Sequence, residues 1–338
     1  MSVGFRVRIR GDGVAARCCA HLLTRAGLAV IVEPSSGPKV PVVVLGDQAL
    51  GLIRDVFDAP NLLAGQPHVD RRLVAWGPDA EAVSVPHSGV AVSEAALLAA
   101  LPVFQPHEAA DEPSDFVIHA AAPLGALHTQ MRFGARRAAA QPVRLTDPAD
   151  HASCLIESLE GGWLFVAPTG AGDGWLLAVG ADPDLLLAGS RVVAPRIEVA
   201  GPAAGAFDSS PRLSDPPCGD GWLACGTAAV GFDPICGDGV ANAVREAILA
   251  AAVIVAIDRG GEPAALLGHY QAMLTAAMRR HLGLCATFYR SGHGGPWWAS
   301  ELDALAHGHD WCTQRLAAAG DPKYQLRGFD LVAREFSS

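Results

Sequence analysis

Near its amino end the chain reads Phe5-Arg-Val-Arg-Ile9, then Gly11-Asp-Gly13-Val-Ala-Ala16, and no other stretch constrains the fold more. The β-branched and aromatic run predicts a strand, and the Ala, Cys, Leu and His residues at helical spacing up to Gly27 predict a helix. A second apolar run, Leu28 to Val32, predicts a buried strand that ends on Glu33, twenty residues past Gly13. This is the dinucleotide-binding fingerprint in its required context. Gly11 serves the tight turn, Gly13 the close approach of backbone to a pyrophosphate, Ala16 the packing of helix on strand, and Glu33 the ribose hydroxyls. Asp12, between the glycines, puts a negative charge near that pyrophosphate, which is unfavourable unless its side chain faces water.

A second stretch, Gly226 to Ala252, joins a Gly-rich loop containing Asp233-Pro234 to a long Ala-rich helix. Glycine has no Cβ, so such a loop can come close to a flat ligand. The helix expected to begin near Val240 presents free N–H groups and a positive dipole end. A reduced flavin, with negative charge on its pyrimidine edge, suits that helix start. Taken alone, the stretch fits a buried loop and helix in any α/β protein equally well; the pairing with the first turn gives it weight.

Between the two, Lys39 to Val44 is apolar and Ala49 to Phe57 amphipathic. Arg71 to Trp76 and Val83 to Val92 have strand character, the latter broken at Pro86-His87-Ser88-Gly89, and Ser93 to Leu101 reads as a capped helix. Pro102 to Asp115 is an acidic, Pro-containing surface connection, and Phe116 to Ala122 a strand running into small residues. Residues 132–199 alternate between Gly and Pro interruptions, as a meandering antiparallel sheet does, with hairpin turns at Glu160-Gly-Gly162 and Ala171-Gly-Asp-Gly174. Trp163, Phe165 and Trp175 are candidate pocket lining, with ordinary core packing the more common role for any one of them. Gly221 to Ala224 is a further strand. Three helical runs follow Gly261: Glu262 to Leu282, Leu284 to Tyr289 and Trp297 to Leu305. His307, His309 and Cys312 have a spacing that could touch a metal, but with no fourth ligand in sight they read as helix-end polar groups.

Half of the 338 residues are apolar, enough for one large domain or two interleaved ones. The net charge of −10 and the absence of any Lys or Arg run exclude a nucleic-acid track or a lipid-surface patch. The start lacks the pattern of a secretory signal, and the span 241–257 is short and carries Asn242, Arg245 and Glu246, so a cytoplasmic location is expected. Eight cysteines without a Cys-x-x-Cys spacing read as reduced core thiols. No metal site is expected.

With these pieces placed, the chain resembles the FAD-dependent monooxygenase superfamily of the para-hydroxybenzoate-hydroxylase type. Within it, the chain looks like the tryptophan-halogenase-like branch, which includes flavoproteins of quinone-cofactor maturation. The resemblance rests on Gly11, Gly13, Ala16 and Glu33, on Trp222-Leu-Ala-Cys-Gly-Thr-Ala-Ala, on Phe232-Asp-Pro-Ile-Cys-Gly-Asp-Gly239, and on Tyr270, Phe288-Tyr289-Arg290 and Trp297-Trp298. It implies an α/β fold: a Rossmann-like FAD-binding domain of the glutathione-reductase type, interleaved with an antiparallel-sheet substrate domain and followed by C-terminal helices. The expected division is 1–60, 112–122 and 215–260 for FAD, 61–111 and 123–214 for substrate, and 261–338 for the helices.

The family implies that Gly226 and Thr227 meet the flavin ribityl chain, that Gly239 and Val240 face the ring, and that Asp233, Pro234 and Gly237 stand at the catalytic centre. There dioxygen adds to the reduced flavin as a C4a-hydroperoxide, so no protein nucleophile is needed. The chain departs from the family at Thr227, where Asp is usual, at His119-Ala-Ala-Ala122 and at Pro34, which implies loosely held FAD. Only Lys39 and Lys323 are lysines, and Gly162-Trp163-Leu-Phe-Val-Ala-Pro168 lacks the second Trp and the Ile of the halogenase motif, so halogenation is disfavoured. The expected function is hydroxylation of an aromatic group of a small molecule or partner peptide, with electrons from NAD(P)H directly or through a separate flavin reductase. A flavin-dependent reductase or dehydrogenase of a hydrophobic substrate, and a binding protein with a degraded cofactor site, remain alternatives.

Overall fold

A computed structural model describes residues 5–34, 39–102, 113–122, 124 and 128–334. Most of the 102–115 connection therefore lies outside the described residues. Among the described residues seven α-helices run α1 Val14–Arg25, α2 Asp47–Phe57, α3 Glu94–Ala100, α4 Pro183–Gly189, α5 Gly239–Asp258, α6 Pro263–Arg290 and α7 Pro296–Ala319.

The strand Arg6–Arg10 pairs in parallel with Ala29–Glu33 on one side and with Phe116–His119 on the other, Val7 lying opposite Val30 and Phe116. Trp222–Ala224 extends this sheet in parallel, and Cys218–Gly219 closes its edge. Parallel neighbours need a crossover, and α1 supplies it between the first two strands. Val7, Ile9, Leu23, Ile118 and Leu223 are fully buried between sheet and helices. Helix α5 packs on α1 and α2 and is apolar on nearly every side, with mean hydropathy 2.0 over its most apolar window. Among the described residues it is the one helix long and apolar enough to cross a membrane, and 72% of that window is buried inside the protein, as in a core helix.

The larger sheet has nine strands, mostly antiparallel, centred on the meander Arg137–Leu145, Ser153–Leu159, Gly162–Gly170 and Asp173–Gly180. His68–Ala75 joins it in parallel to Ser153–Leu159. Val43–Gly46 forms its far edge, although it falls within 1–60. Helices α6 and α7 pack on each other, and α6 also packs on α5.

The structure corrects three local expectations. Val83–Val92 is one continuous strand through Pro86. A register shift between Val69 and Arg71 on the neighbouring strand, opposite Pro86 to Gly89, accommodates the proline, which has no N–H to give. Pro263–Arg290 forms one helix rather than two, and the helix from Pro296 runs on to Ala319. Gly283 and Gly308 interrupt the pattern without interrupting the helices: a Cβ on Gly308 would lie 2.5 Å from Phe133, so glycine there permits a close crossing. His307 and His309 are exposed in mid-helix while Cys312 is fully buried, so the three do not sit at a helix end.

Candidate cofactor and substrate site

Two turns meet at one end of the parallel sheet, and a third follows the second along the chain. In the first, Gly11 has φ +132°, and a Cβ there would lie 3.2 Å from Ala120 C and Ala121 N. The turn is pressed on the end of a neighbouring strand, and the protein itself demands glycine. Gly13 differs: its φ is −70°, and a Cβ would meet nothing within 4 Å. It precedes α1, whose first N–H groups have no side-chain cap. Ala16 is fully buried beneath. Asp12 is balanced by Lys39, whose Nζ lies 3.0 Å from its carboxylate. Glu33 receives hydrogen bonds from Arg8 and from Arg10 Nε at 3.0 Å. Partial burial works to raise its pKa, but the two arginines outweigh it and hold the carboxyl below its usual range. Its acceptor capacity is not exhausted by two donors.

The second turn carries Gly226 at φ +58°, where a Cβ would stand 2.8 Å from that of Ala15, so the turn lies directly on α1. Its N–H donates to Glu246 at 2.9 Å. Burial pushes the Glu246 carboxyl up to about 8, the Gly226 N–H pulling the other way, and the group keeps its proton near neutrality. Thr227, next along, is exposed.

The third turn, Asp233 to Gly239, leads into α5. Asp233 is 1% exposed and faces inward. Its Oδ2 accepts from the Tyr289 hydroxyl at 2.8 Å and lies 3.3 Å from Arg136 Nε, its Oδ1 accepts from the Ile235 N–H at 2.9 Å, and its own N–H donates to His281 Nε2 at 2.8 Å. Arg136, fully buried, also meets Glu301 at 3.1 Å and covers the Tyr289 ring at 4.6 Å, while Trp163 Nε1 donates to the Tyr289 hydroxyl at 3.3 Å. One guanidinium thus serves two acids, and burial pushes both Asp233 and Glu301 up despite it. Asp233 positions the loop and turns no oxygen toward what lies in front. Gly237, at φ +64°, and Gly239 are exposed, with Pro234 and Val240 half-buried. The N-cap of α5, Asp238, makes no side-chain capping bond, and a Cβ on Gly239 would meet nothing within 4 Å. Tyr289→Phe removes one bond to a buried carboxylate and one acceptor for Trp163. Urea denaturation should show a loss of about 1–3 kcal/mol.

Cys236, His281 and Cys285 bring ligand-type atoms within 4.8 Å of one another beside this loop. His281 Nε2 is already engaged by the Asp233 N–H, so the imidazole serves as a loop anchor, and burial with the nearby Arg136 charge pushes it down to about 3, keeping it neutral. All eight cysteines are free thiols.

Of the candidate lining residues, Trp163 is core, bound to Tyr289, whereas Phe165 and Trp175 are half-buried. Sequence reading missed Arg136, His281 and Glu301 because their partners lie far off along the chain. Glu246 gave one signal, an acid inside a mostly apolar helix. A cavity of about 240 Å³ lined by Val255, Arg259, Leu266 and Tyr324 lies at the other end of α5, roughly 25–30 Å away by helix rise, and takes no part in this site.

No family model matches the chain, and no curated protein matches it in sequence. Solved structures do match its fold. The flavin-dependent brominase Bmp2 aligns with TM-score 0.68 at 16% identity, covering 93% of each chain. The peptidyl tryptophan dihydroxylase QhpG, essential for tryptophylquinone cofactor biogenesis, aligns with TM-score 0.68 at 20% identity over 88% of this chain and 78% of its own. The flavin-dependent halogenase CmlS gives 0.73 at 18% identity over 94% of this chain and 72% of its own. The chain has the fold shared by flavin-dependent hydroxylases and halogenases.

Proposed function

We propose that this chain binds FAD and is a monooxygenase that hydroxylates an aromatic group of a small molecule or partner peptide. One observation carries the reading: two uncapped helix starts, at Gly13 and at Gly239, each open at a glycine whose Cβ would touch nothing. Backbone N–H groups at Gly13 would hold the pyrophosphate, and the α5 start, with Gly239 and Val240, would hold the negative edge of the reduced flavin. Glu33 would take the ribose hydroxyls, and Thr227 a ribityl hydroxyl. Bound and reduced, FAD supplies the activation of dioxygen for transfer of one oxygen atom to the substrate. The protein's part is to bind, orient and keep water out: the inward bonds of Asp233 fix the loop, while Pro234 and Gly237 shape its outer side. Reducing equivalents from NAD(P)H, directly or through a separate flavin reductase, and a cytoplasmic location belong to the same reading.

Hydroxylation is favoured over halogenation by the placement of the two lysines. Lys39 is paired with Asp12 at the first turn, and Lys323 precedes the hairpin 324–333 at the far end of α5. The test is an ultraviolet–visible spectrum of the purified chain before and after incubation with FAD and desalting. A retained, shifted flavin spectrum supports the reading, and a flat one after reconstitution sinks it in favour of a binding protein. Thr227→Asp restores a charged acceptor at the ribityl position and should tighten FAD about three- to tenfold in the same titration. Unchanged affinity would count against that placement.

A further inference from the structure

Cys236 ends a single turn of 3₁₀ helix, Pro234–Cys236, in the third turn of the site, and that short helix packs on α6. His281 and Cys285 stand four residues apart on α6, so one face of the helix presents both to the loop. Across this contact the Cys236 and Cys285 sulfurs are 3.7 Å apart, and Cys285 Sγ lies 3.3 Å from His281 Nε2. A disulfide is about 2.0 Å long, so closing one here takes an approach of less than about 2 Å. Cys285 is held in the body of a 28-residue helix, whereas Cys236 is followed by Gly237 at φ +64°. The loop is the side that moves.

Accessibility selects the same pair. Of the eight cysteines, Cys236 is half-exposed and the other seven are buried. Cys19 and Cys225 also touch each other, but both are enclosed in the core, where an oxidant in water does not reach them. Contact with Cys236, and after it burial, push the Cys285 thiol up, so Cys285 keeps its proton and Cys236 reacts first. A metal would need thiolates and a free imidazole nitrogen, and His281 Nε2 already accepts from the Asp233 N–H at 2.8 Å.

We propose that Cys236 and Cys285 are a site of reversible oxidation by hydrogen peroxide, and that their disulfide ties the Asp233 to Gly239 loop to α6. Peroxide oxidises the Cys236 thiol to a sulfenic acid and leaves one water. The Cys285 sulfur then attacks the Cys236 sulfur: the S–S bond forms, the S–O bond breaks, and the departing hydroxide takes the Cys285 proton as a second water. Two thiols lose two electrons in all, and one peroxide is reduced to two waters. A dithiol reductant reverses the bond. The disulfide stands on this geometry alone. Its effect on the cofactor rests on the proposed FAD reading, because closure displaces the adjoining Gly237 to Val240 segment assigned there to the flavin.

The test is thiol titration of the full chain in denaturant, before and after hydrogen peroxide, with peptide mapping by mass spectrometry. The reduced chain should show all eight thiols and the oxidised chain two fewer, with Cys236 and Cys285 in one linked fragment, and dithiothreitol should restore the full count. Cys236→Ser, at a half-exposed position, should lose no thiol to peroxide. Should that variant not fold, the wild-type map decides by itself. A full thiol count after peroxide overturns the proposal, as does a bond between any other pair or between two chains. Higher oxidation of Cys236 with Cys285 still a thiol has the same force, and so does zinc bound through these two sulfurs in the purified chain. The oxidised chain should bind FAD several-fold more weakly than the reduced chain, and equal affinity would remove the bond from the cofactor site. A reversible Cys236–Cys285 disulfide in a chain that binds FAD in neither state would uphold the dithiol and sink the monooxygenase reading alone.

Discussion

Gly13→Val should abolish FAD binding and leave the fold standing. The two halves of that expectation come from the same position. Gly13 has φ −70° and ψ −178°, which any residue adopts, and no atom lies within 4 Å of where its Cβ would be. Valine is a poorer N-cap than glycine, so the cost to the folded chain is about 1 kcal/mol. The isopropyl group, however, would stand in the open space before α1, where the pyrophosphate is proposed to meet the free N–H groups. The turn cannot swing aside to make room. Gly11, two residues earlier, is held 3.2 Å from the Ala120–Ala121 backbone, measured from an added Cβ, and its N–H is bonded to Glu33 O at 2.8 Å. A steric block at a rigid turn should lower FAD affinity at least about a thousandfold, or about 4 kcal/mol. Flavin fluorescence titration reads the affinity, and circular dichroism melting reads the fold. Near-wild-type FAD affinity in a folded variant would remove α1 from the cofactor site.

Local pattern carried the parts of the fold that are local. The first strand, turn, helix and second strand could be read from β-branched runs and glycines, because each element is specified by residues within a few positions of one another. The hairpins at Glu160 to Gly162 and at Ala171 to Gly174 were legible for the same reason. The apolar helix after Gly239 announced its burial by having hardly any polar side. What failed to show was anything set by contacts between distant segments. Gly283 and Gly308 look like helix breaks in sequence, yet both lie within continuous helices, and Gly308 marks where α7 crosses Phe133 closely. The loop anchor joins Arg136, Asp233, Tyr289 and Glu301 from four separated segments, and no spacing rule connects them. Asp233 illustrates the limit most clearly. Its place in the Asp-Pro loop was readable, but the inward direction of its carboxylate depends on a fully buried arginine 97 residues earlier in the chain.

Glu246→Gln should make the protein markedly more stable above pH 7.5 and change little at pH 4.5 or below. In the unfolded chain this carboxyl loses its proton near 4.5, whereas in the fold burial keeps the proton to about 8. Between those values the folded chain binds more protons than the unfolded chain, so stability falls as pH rises. The contribution is full below 4.5, declines by about 1.4 kcal/mol per pH unit through the interval, and levels off above 8, a total of about 5 kcal/mol. Glutamine has the same shape and cannot ionise, and its Oε1 can still accept from the Gly226 N–H. Urea denaturation of both proteins at pH 4.5, 7 and 9 should therefore give curves that coincide in acid and separate by several kcal/mol in alkali. Parallel curves would mean that some other group carries the alkaline loss. The consequence for function follows from where Glu246 acts. Its carboxyl accepts from the Gly226 N–H behind the Gly226–Thr227 turn; ionisation strengthens that one bond but buries a charge beneath the turn, and this burial destabilises the segment proposed to hold the ribityl chain. Wild-type FAD affinity should fall above pH 8, and the glutamine variant should hold FAD with little change across that range.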